Sequence, residues 1–355
     1  MTAHERAGDR RLEVDAPSPG EPCAGDARGL SVLIVSWNTR ALTLEALRSF
    51  LPLPARLDAE VIVIDNASTD GSADAIAEAF PDVQLIRNDT NRGFAAGVNV
   101  GLRLVRKPFV LLLNPDTRVR DGAIEKLVDY AAAHPQASIV GPRVLNEDET
   151  RQDSRFRFPT LLTHALAASY LYQLFAGSSF FNQERFAGRD VEHPVRTNAV
   201  SGCCFLIRRD LLDEIGLLDE GYFMYGEEMD LCFRAWRAGF EVHYVPAGEV
   251  VHLGGASSRL AARRNFLEFR RSLLRFHRKH HGRAYAEAAR GLLCLFLLLR
   301  LPYWGLRALT SSANRQASRA QLGNYIAGLG LLMQPLSAIL RDGPAARETV
   351  AGASS

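Results

Sequence analysis

Cysteine is scarce in this sequence and poorly spaced for chemistry. The five residues at 23, 203, 204, 232 and 294 form no CxxC pair, which excludes a zinc ribbon or a dithiol redox motif. Neighbours such as Cys203 and Cys204 rarely bond each other, so a reducing compartment with buried thiols is expected. The N-terminal MTAHERAGDRRLEV lacks an apolar core, and no secretion signal is read there. Net charge is nearly missing as well, at +2 over 355 residues, so no nucleic-acid partner is expected. No GxGxxG follows the first apolar run, which argues against a nicotinamide dehydrogenase. No Ser-His-Asp or Cys-His arrangement offers a covalent nucleophile. Long unbroken apolar runs are absent too. GLLCLFLLLRLPYWGLRAL (291–309) is interrupted by Arg300 and Pro302, and NYIAGLGLLMQPLSAIL (324–340) by Gln334 and Pro335. A bilayer span needs roughly 20 apolar residues.

What is present is a 47% hydrophobic chain, enough for one large α/β domain with an appendage. Residues 1–28 are rich in Gly, Pro, Ala and charge and read as a disordered tail, with a second at 346–355. From Leu30 to about Val144, short apolar runs alternate with helical stretches. LSVLIVS (30–36), EVIVID (60–65), VQLIR (83–87), FVLLL (109–113) and SIVGPRV (138–144) read as strands. Helices are expected at Ala41–Leu51, Ser72–Phe80, Ala95–Val105 and Asp121–His134. Strands that are apolar throughout, set between helices, imply a mostly parallel sheet covered on both faces: a doubly wound α/β fold. Beyond an irregular stretch with one helix at Ala165–Phe175, strands return at 203–209, 240–246 and 249–255, with helices at Asp210–Ile215 and Glu227–Ala238.

Ligands of such sheets sit beyond the carboxyl ends of the strands. There the sequence turns polar: Ser36-Trp37-Asn38, Asp65-Asn66, and Asn114-Pro115-Asp116. Asp116 is placed to hold Mg²⁺ or Mn²⁺, which takes one or two carboxylates and completes its shell with water and substrate phosphate; an ordinary turn is the plainer reading. In NRGFAAGVN (91–99), small residues let a ligand approach a helix N-terminus, and Arg92 adds a charge. Tight helix–sheet packing through Gly97 is the alternative. Glu227, Glu228 and Asp230 crowd one helix start. Such acids raise one another's pKa and suit a general base, although Asp230 also stands at i,i+4 to Arg234. Glu227 and Asp230 are expected to share a face, with Glu228 pointing elsewhere. His252, before Gly254-Gly255, is a candidate metal or phosphate contact.

Taken together, VLIVSWN, VIVIDNASTDGS, NRGFAAGVNVG, LLLNPDT, SGCCFLIRR, FMYGEEMDLCFR and VVHLGGASS resemble glycosyltransferase family 2, the inverting enzymes of GT-A fold. The resemblance is nearest to rhamnosyltransferase-like bacterial members, and the motifs span Val32 to Ser258. The resemblance implies a GT-A domain over 29–258 and a sugar transferred from a nucleotide diphosphate, dTDP-rhamnose as first choice, to a glycan or lipid-linked acceptor. It implies that Asp65 holds the base beside Asn66, and that Arg92, Gly97 and Asn99 line the nucleotide-sugar pocket together with Ser36, Asn38 and Asn114. Asp116 and His252 would hold Mg²⁺ or Mn²⁺, and Glu228 or Glu227 would be the base. Asn114 stands where many relatives have a second acid, and Glu-Glu replaces the more common Glu-Asp. A sugar-phosphate nucleotidyltransferase would want a glycine- and arginine-rich loop where SWNTR stands. A non-catalytic membrane scaffold would have no use for the acids at 227–230.

Residues 259–345 lie beyond those motifs. Arg259 to Arg283 carries nine Arg or Lys against the single acid Glu268. With the apolar helices that follow, it is expected to lie on the cytoplasmic face of the cell membrane, peripherally, meeting anionic lipid or a diphosphate. A solvated helix face is the plainer reading of the same charges.

Overall fold

The computed structural model of the chain describes residues 28–175, 178, 191–254, 262–310 and 314–341. The expected tails, apart from Arg28, and the end of the glycine motif at 255–258 lie outside these residues. The first half alternates strands β1 (Leu30–Ser36), β2 (Ala59–Asp65), β3 (Gln84–Arg87) and β4 (Phe109–Leu113) with helices α1 (Arg40–Phe50), α2 (Ser72–Ala79) and α3 (Phe94–Leu102). After β4 come a three-residue strand β5 (Thr117–Val119), helix α4 (Ala123–Ala133) and strand β6 (Ala137–Leu145). Two short strands, β7 (Arg151–Gln152) and β8 (Arg155–Phe156), precede helices α5 (Leu161–Ala168) and α6 (Leu171–Leu174). Strands β9 (Val195–Thr197), β10 (Ala199–Val200) and β11 (Cys204–Arg208) then lead to α7 (Arg209–Ile215), α8 (Glu227–Arg237) and β12 (Glu241–His252).

The main sheet runs β3-β2-β1-β4-β11-β6-β12-β5. Strands β1 to β4 pair in parallel, and β6 pairs in parallel with β12. Every residue of β1 and β4 is buried, because one apolar cluster covers each face of the sheet. Residues such as Leu47, Ile76 and Leu127 pack on one side; Val98, Leu211 and Leu231 pack on the other. The doubly wound expectation holds, with antiparallel pairings at the short strands β5, β7 and β9 and at one strand inside the sheet. β11 runs antiparallel to both β4 and β6. A strand buried on both faces has the same residue pattern in either direction, so composition does not reveal this.

Two further boundaries differ from expectation. The strands expected at 240–246 and 249–255 are one strand, β12, which spans Glu241–His252 with a bulge between Val245 and Glu249. Pro246, which has no N–H to offer, sits in that bulge. The helix expected at Ala165–Phe175 starts earlier and breaks. Thr160 and Thr163 cap each other's backbone to start α5, and Tyr170 at φ +61° separates it from α6.

The C-terminal region is helical: α9 (Ala262–His281), α10 (Arg283–Leu298), α11 (Leu301–Thr310), α12 (Arg315–Leu332) and α13 (Leu336–Ile339). It has its own apolar core, built around Leu274, Leu293, Leu297, Tyr325 and Leu332. It is anchored to the sheet domain mainly through α8 and α5. Arg300 reaches the carbonyl of Ala167 at 2.8 Å, and Tyr285 caps the N–H of Leu161 at 3.0 Å.

Candidate active site

The carboxyl ends of β1 and β4 open into a cleft of about 260 Å³. Asn66, Asn114, Asp116, Glu227, Glu228 and His252 all line it, and Trp37, Gly202, Phe223 and Arg264 complete its walls. Residues far apart in sequence thus meet, and the short strand β5 is what brings two of them together. β5 pairs antiparallel with the end of β12, setting His252 opposite Thr117. The backbone is tied again where Leu253 N–H donates to the Asp116 carbonyl at 3.0 Å. His252 Nε2 therefore lies 3.3 Å from Asp116 Oδ1, with both side chains largely buried. The other ring nitrogen, Nδ1, is 2.8 Å from Gln152 Oε1. If the Gln152 oxygen is the acceptor, Nδ1 carries the proton and Nε2 offers its lone pair toward Asp116. Among the described residues no group of three or more His, Cys, Asp and Glu is disposed to hold a metal. An oxygen and an imidazole nitrogen still suit a divalent ion that takes its other positions from water and phosphate.

On the opposite wall, α8 begins with two residues in the left-handed region, Tyr225 at φ +67° and Gly226 at φ +91°. This sharp entry turns both Glu227 and Glu228 into the cleft. Glu228 Oε2 accepts from the Gly226 N–H at 3.0 Å. Gly202 makes room for it, because a Cβ there would come within 3.3 Å of the Glu228 carboxyl carbon. Glu227 is 5% exposed, and its Oε2 has no hydrogen-bond partner among the described residues. Burial pushes both carboxyls above the ordinary value of 4.5, and the charge of Glu228 pushes Glu227 further.

Asp230 belongs elsewhere, which corrects the expected Glu227–Asp230 face. It is fully buried, and it binds Arg234 at 2.8 Å, Lys279 at 2.8 Å and His280 at 2.7 Å. Burial would raise its pKa, but hydrogen bonds from His280 and Lys279 and the charges of Lys279 and Arg234 hold it down at about 2.

The nucleotide-binding candidates divide into two groups. Asn66 sits on the cleft wall, 2% exposed, and organises the NRG loop. Its amide donates to Asn91 Oδ1 and the Gly93 carbonyl, both at 3.1 Å, and its oxygen accepts from Asn88 at 3.0 Å. Gly93 packs so tightly on Phe223 that a Cβ would lie 2.6 Å from its carbonyl oxygen, and its φ is +82°. Asp65, 3% exposed, accepts from Ser68 N–H at 3.0 Å through Oδ2; Oδ1 is buried without a partner among the described residues. That oxygen is an acceptor awaiting a donor.

Asp65 borders the cleft wall through Asn66 without lining the cleft itself, and Ser36, Asn38, Arg92, Gly97 and Asn99 do not line it either. Ser36 is fully buried, with its hydroxyl shared between Thr39 at 3.1 Å and Thr43 at 3.0 Å. Asn38 ties β1 to the 65–70 loop through Ser68 and Thr69. Gly97 packs against Val35, where a Cβ would meet Cγ1 at 3.0 Å. Asn99 is occupied by Leu218 and Glu220, and Arg92 points to Glu220 at 3.8 Å. Hydrogen bonds within the fold account for the Ser36 and Asn99 side chains and packing on Val35 accounts for Gly97; none of the three lines the cleft, which corrects the expected pocket-lining placement. Sequence reading missed Gly202 and Arg264. Arg264 stands over the Phe223 ring at 4.3 Å, and its Nη2 is buried with no partner among the described residues. It is hidden within a basic stretch whose charges look alike and suggest one shared surface.

Among the described residues Cys203, Cys204 and Cys232 are buried, and Cys294 is half-buried.

A parallel sheet with an Asn-Pro-Asp turn at the end of β4, an acidic helix facing it and an antiparallel β11 between them defines a GT-A glycosyltransferase architecture. The family model described as "Glycosyltransferase like family 2" matches residues 27–270, more than half of the chain. The chain is 31% identical over 223 residues to the N-acetylglucosaminyl-diphospho-decaprenol L-rhamnosyltransferase of Mycobacterium tuberculosis, covering 59% of this chain and 71% of that one. It is 27% identical over 206 residues to a low-salt glycan biosynthesis hexosyltransferase of Haloferax volcanii, covering 55% and 59%. In fold it is similar to the mannosyltransferase PcManGT of Pyrobaculum calidifontis, solved with GDP-Man and Mn²⁺. The TM-score is 0.51 at 18% identity, covering 92% of this chain and 88% of that one. The chain belongs to glycosyltransferase family 2, among its rhamnosyltransferase-like members, and is an enzyme of that class.

Proposed function

We propose that the protein is an inverting glycosyltransferase that moves a sugar, rhamnose from dTDP-rhamnose, onto a lipid-linked glycan in cell-wall or polysaccharide biosynthesis. The observation that carries this is the single cleft in which Asp116 and His252 face Glu227 and Glu228. The rhamnosyl donor and the diphospho-lipid acceptor are suggested by what the mycobacterial relative is named for.

Asp65 Oδ1 would accept an N–H of the nucleobase, and Asn66 would keep the NRG loop in place beside it. Asp116 and His252 would hold Mg²⁺ or Mn²⁺, with Asn114 alongside; when bound, that ion neutralises the diphosphate and makes it a leaving group. Glu228 is our choice of base. It is partly exposed and bound by backbone N–H groups, that of Gly226 among them, and by no cationic side chain among the described residues, which suits it to take the acceptor hydroxyl proton as that oxygen attacks the anomeric carbon. Glu227, more deeply buried and pushed up further, is better suited to remain protonated. Attack from the face opposite the leaving group inverts the configuration in one displacement.

We further propose that residues 29–258 form the catalytic domain, and that residues 259–345 present the acceptor and rest on the cytoplasmic face of the membrane. The segment Arg283–Thr310 is apolar and long enough to cross a membrane by length and composition, and only 22% of its apolar window is buried. Of its arginines, the one that breaks the central apolar run is not available to lipid. Arg300 is 4% exposed and lies over the rings of Phe296 and Tyr170, at 3.6 and 4.0 Å. A peripheral, in-plane arrangement suits that interruption.

Incubation with dTDP-rhamnose, manganese and a lipid-linked acceptor should release dTDP. Glu228→Gln should lower turnover by about 10²–10⁴-fold, the range for a lost general base, and Asp116→Ala should abolish the response to added metal. Wild-type-like turnover in both variants would overturn the assignment.

A further inference from the structure

Glu228 and Tyr225 stand between two cavities. Behind them, away from Asp116, lies a second cavity of about 380 Å³, walled by α5, α8, α9 and α10. Its lining is chiefly apolar and aromatic, with Phe156, Phe269, Phe276 and Phe296 among its walls. It also contains Arg157 and Arg270. Arg270 is 8% exposed. Its Nη1 donates to the Phe266 carbonyl at 2.6 Å, and its guanidinium lies over the Phe266 ring at 3.3 Å. Its Nε has no hydrogen-bond partner among the described residues, and no carboxylate among them pairs with it. Burial lowers its pKa to about 10, so it is still cationic at neutral pH. A buried cation without a counter-charge is costly unless a ligand supplies one.

We propose that this second cavity receives the acceptor as an isoprenoid diphosphate, its phosphates at Arg270 and Arg157 and its first apolar units among the phenylalanines. The inference rests on the glycosyltransferase reading above and adds the place from which the acceptor reaches Glu228. An apolar chain alone would leave Arg270 without a counter-charge, and a free diphosphate would leave the aromatic walls uncovered. Only an amphiphile satisfies both. Helices α9 and α10 supply most of the far wall, which gives the C-terminal region a catalytic purpose beyond anchoring.

The test uses the full-length chain with farnesyl diphosphate as probe, in EDTA so that no metal recruits it to the first cleft. Wild type should bind it, and should bind inorganic pyrophosphate and farnesol more weakly. Arg270→Met and Leu273→Trp, the latter filling the cavity, should each weaken binding by roughly tenfold or more, the scale of a lost charge-assisted contact. Arg270→Lys should retain most of it. Asp116→Ala should bind farnesyl diphosphate like wild type while losing manganese-dependent dTDP binding. Manganese-dependent dTDP affinity, measured on every variant, reports folding and donor binding separately. No binding by wild type, unchanged binding in both Arg270→Met and Leu273→Trp, or equal displacement by phosphatidylglycerol vesicles would each overturn the proposal. Loss of dTDP binding by wild type would instead strike at the donor assignment. If Arg270→Met fails to fold, Leu273→Trp and Arg270→Lys decide the matter.

Discussion

Gly202 and Glu228 are coupled by a contact with little slack. A methyl group at 202 would press on the Glu228 carboxyl from 3.3 Å, and the neighbour must yield by a few tenths of an ångström. Misplacing a reacting group by about 1 Å costs on the order of 10²-fold, so Gly202→Ala should lower kcat by roughly tenfold and leave donor affinity unchanged. Steady-state kinetics with varied dTDP-rhamnose separates the two. The pH profile follows from the same site. A base must be unprotonated to act, and burial holds Glu228 above 4.5. Activity should therefore fall as pH drops through an apparent pKa above that of an exposed glutamate. Because the two acids lie together, the limb belongs to the pair. Glu227→Gln mimics the protonated acid, so it should keep substantial kcat and leave the limb largely in place. A lost kcat would transfer the role to Glu227.

At the scale of elements, α8 and α9 are joined through Asp230, which gathers Arg234, Lys279 and His280 in a fully buried position. Removing one partner of such a network leaves buried charge uncompensated, at a cost of about 3–5 kcal/mol. Asp230→Ala should lower the denaturation midpoint accordingly and should also reduce turnover, since α8 carries Glu228. Asp230 has its pKa depressed from 3.8 to about 2. Its contribution is complete above the unfolded value and is lost as pH falls from roughly 4 through 2. Acid unfolding followed by circular dichroism should lose that part of its slope in Asp230→Asn. The network also shows where sequence reading stops. The i,i+4 pair with Arg234 was visible in spacing, but Lys279 and His280 are some fifty positions away. The strands β1, β2 and β4 were legible because a short, continuous apolar run between two helices fits a buried parallel strand and little else. β5 was not, since three residues containing Arg118 carry no strand pattern; yet its pairing with β12 sets His252 beside Asp116. Likewise Ser36, Gly97 and Asn99 sit in motifs that read as ligand-binding. The Ser36 and Asn99 side chains bond within the fold and Gly97 allows close packing on Val35, and a motif does not distinguish the two uses.

For the whole molecule, the basic block divides in a way its sequence conceals. Arg270, Arg275, Lys279 and His280 contact protein groups, and Arg264 faces the donor cleft. Arg263, Arg278 and Arg283 remain exposed. The surface left for a membrane is therefore more apolar than cationic. Leu298, Leu299, Tyr303, Leu306 and Leu309 are 49–73% exposed along α10 and α11, and clustered exposed apolar side chains mark an interaction surface. Burying a leucine contributes about 1.5–3 kcal/mol. Changing both Leu306 and Leu309 to Glu should shift partition toward solution by roughly two orders of magnitude or more. In detergent-free fractionation the unaltered full-length chain should sediment with membranes and resist a salt wash, because the attachment is chiefly apolar. The double variant should appear in the supernatant with manganese-dependent dTDP binding intact, since neither leucine touches the cleft. If the unaltered chain is soluble, or is released by salt alone, the apolar face must serve another partner and the acceptor must be delivered without a membrane contact at α11.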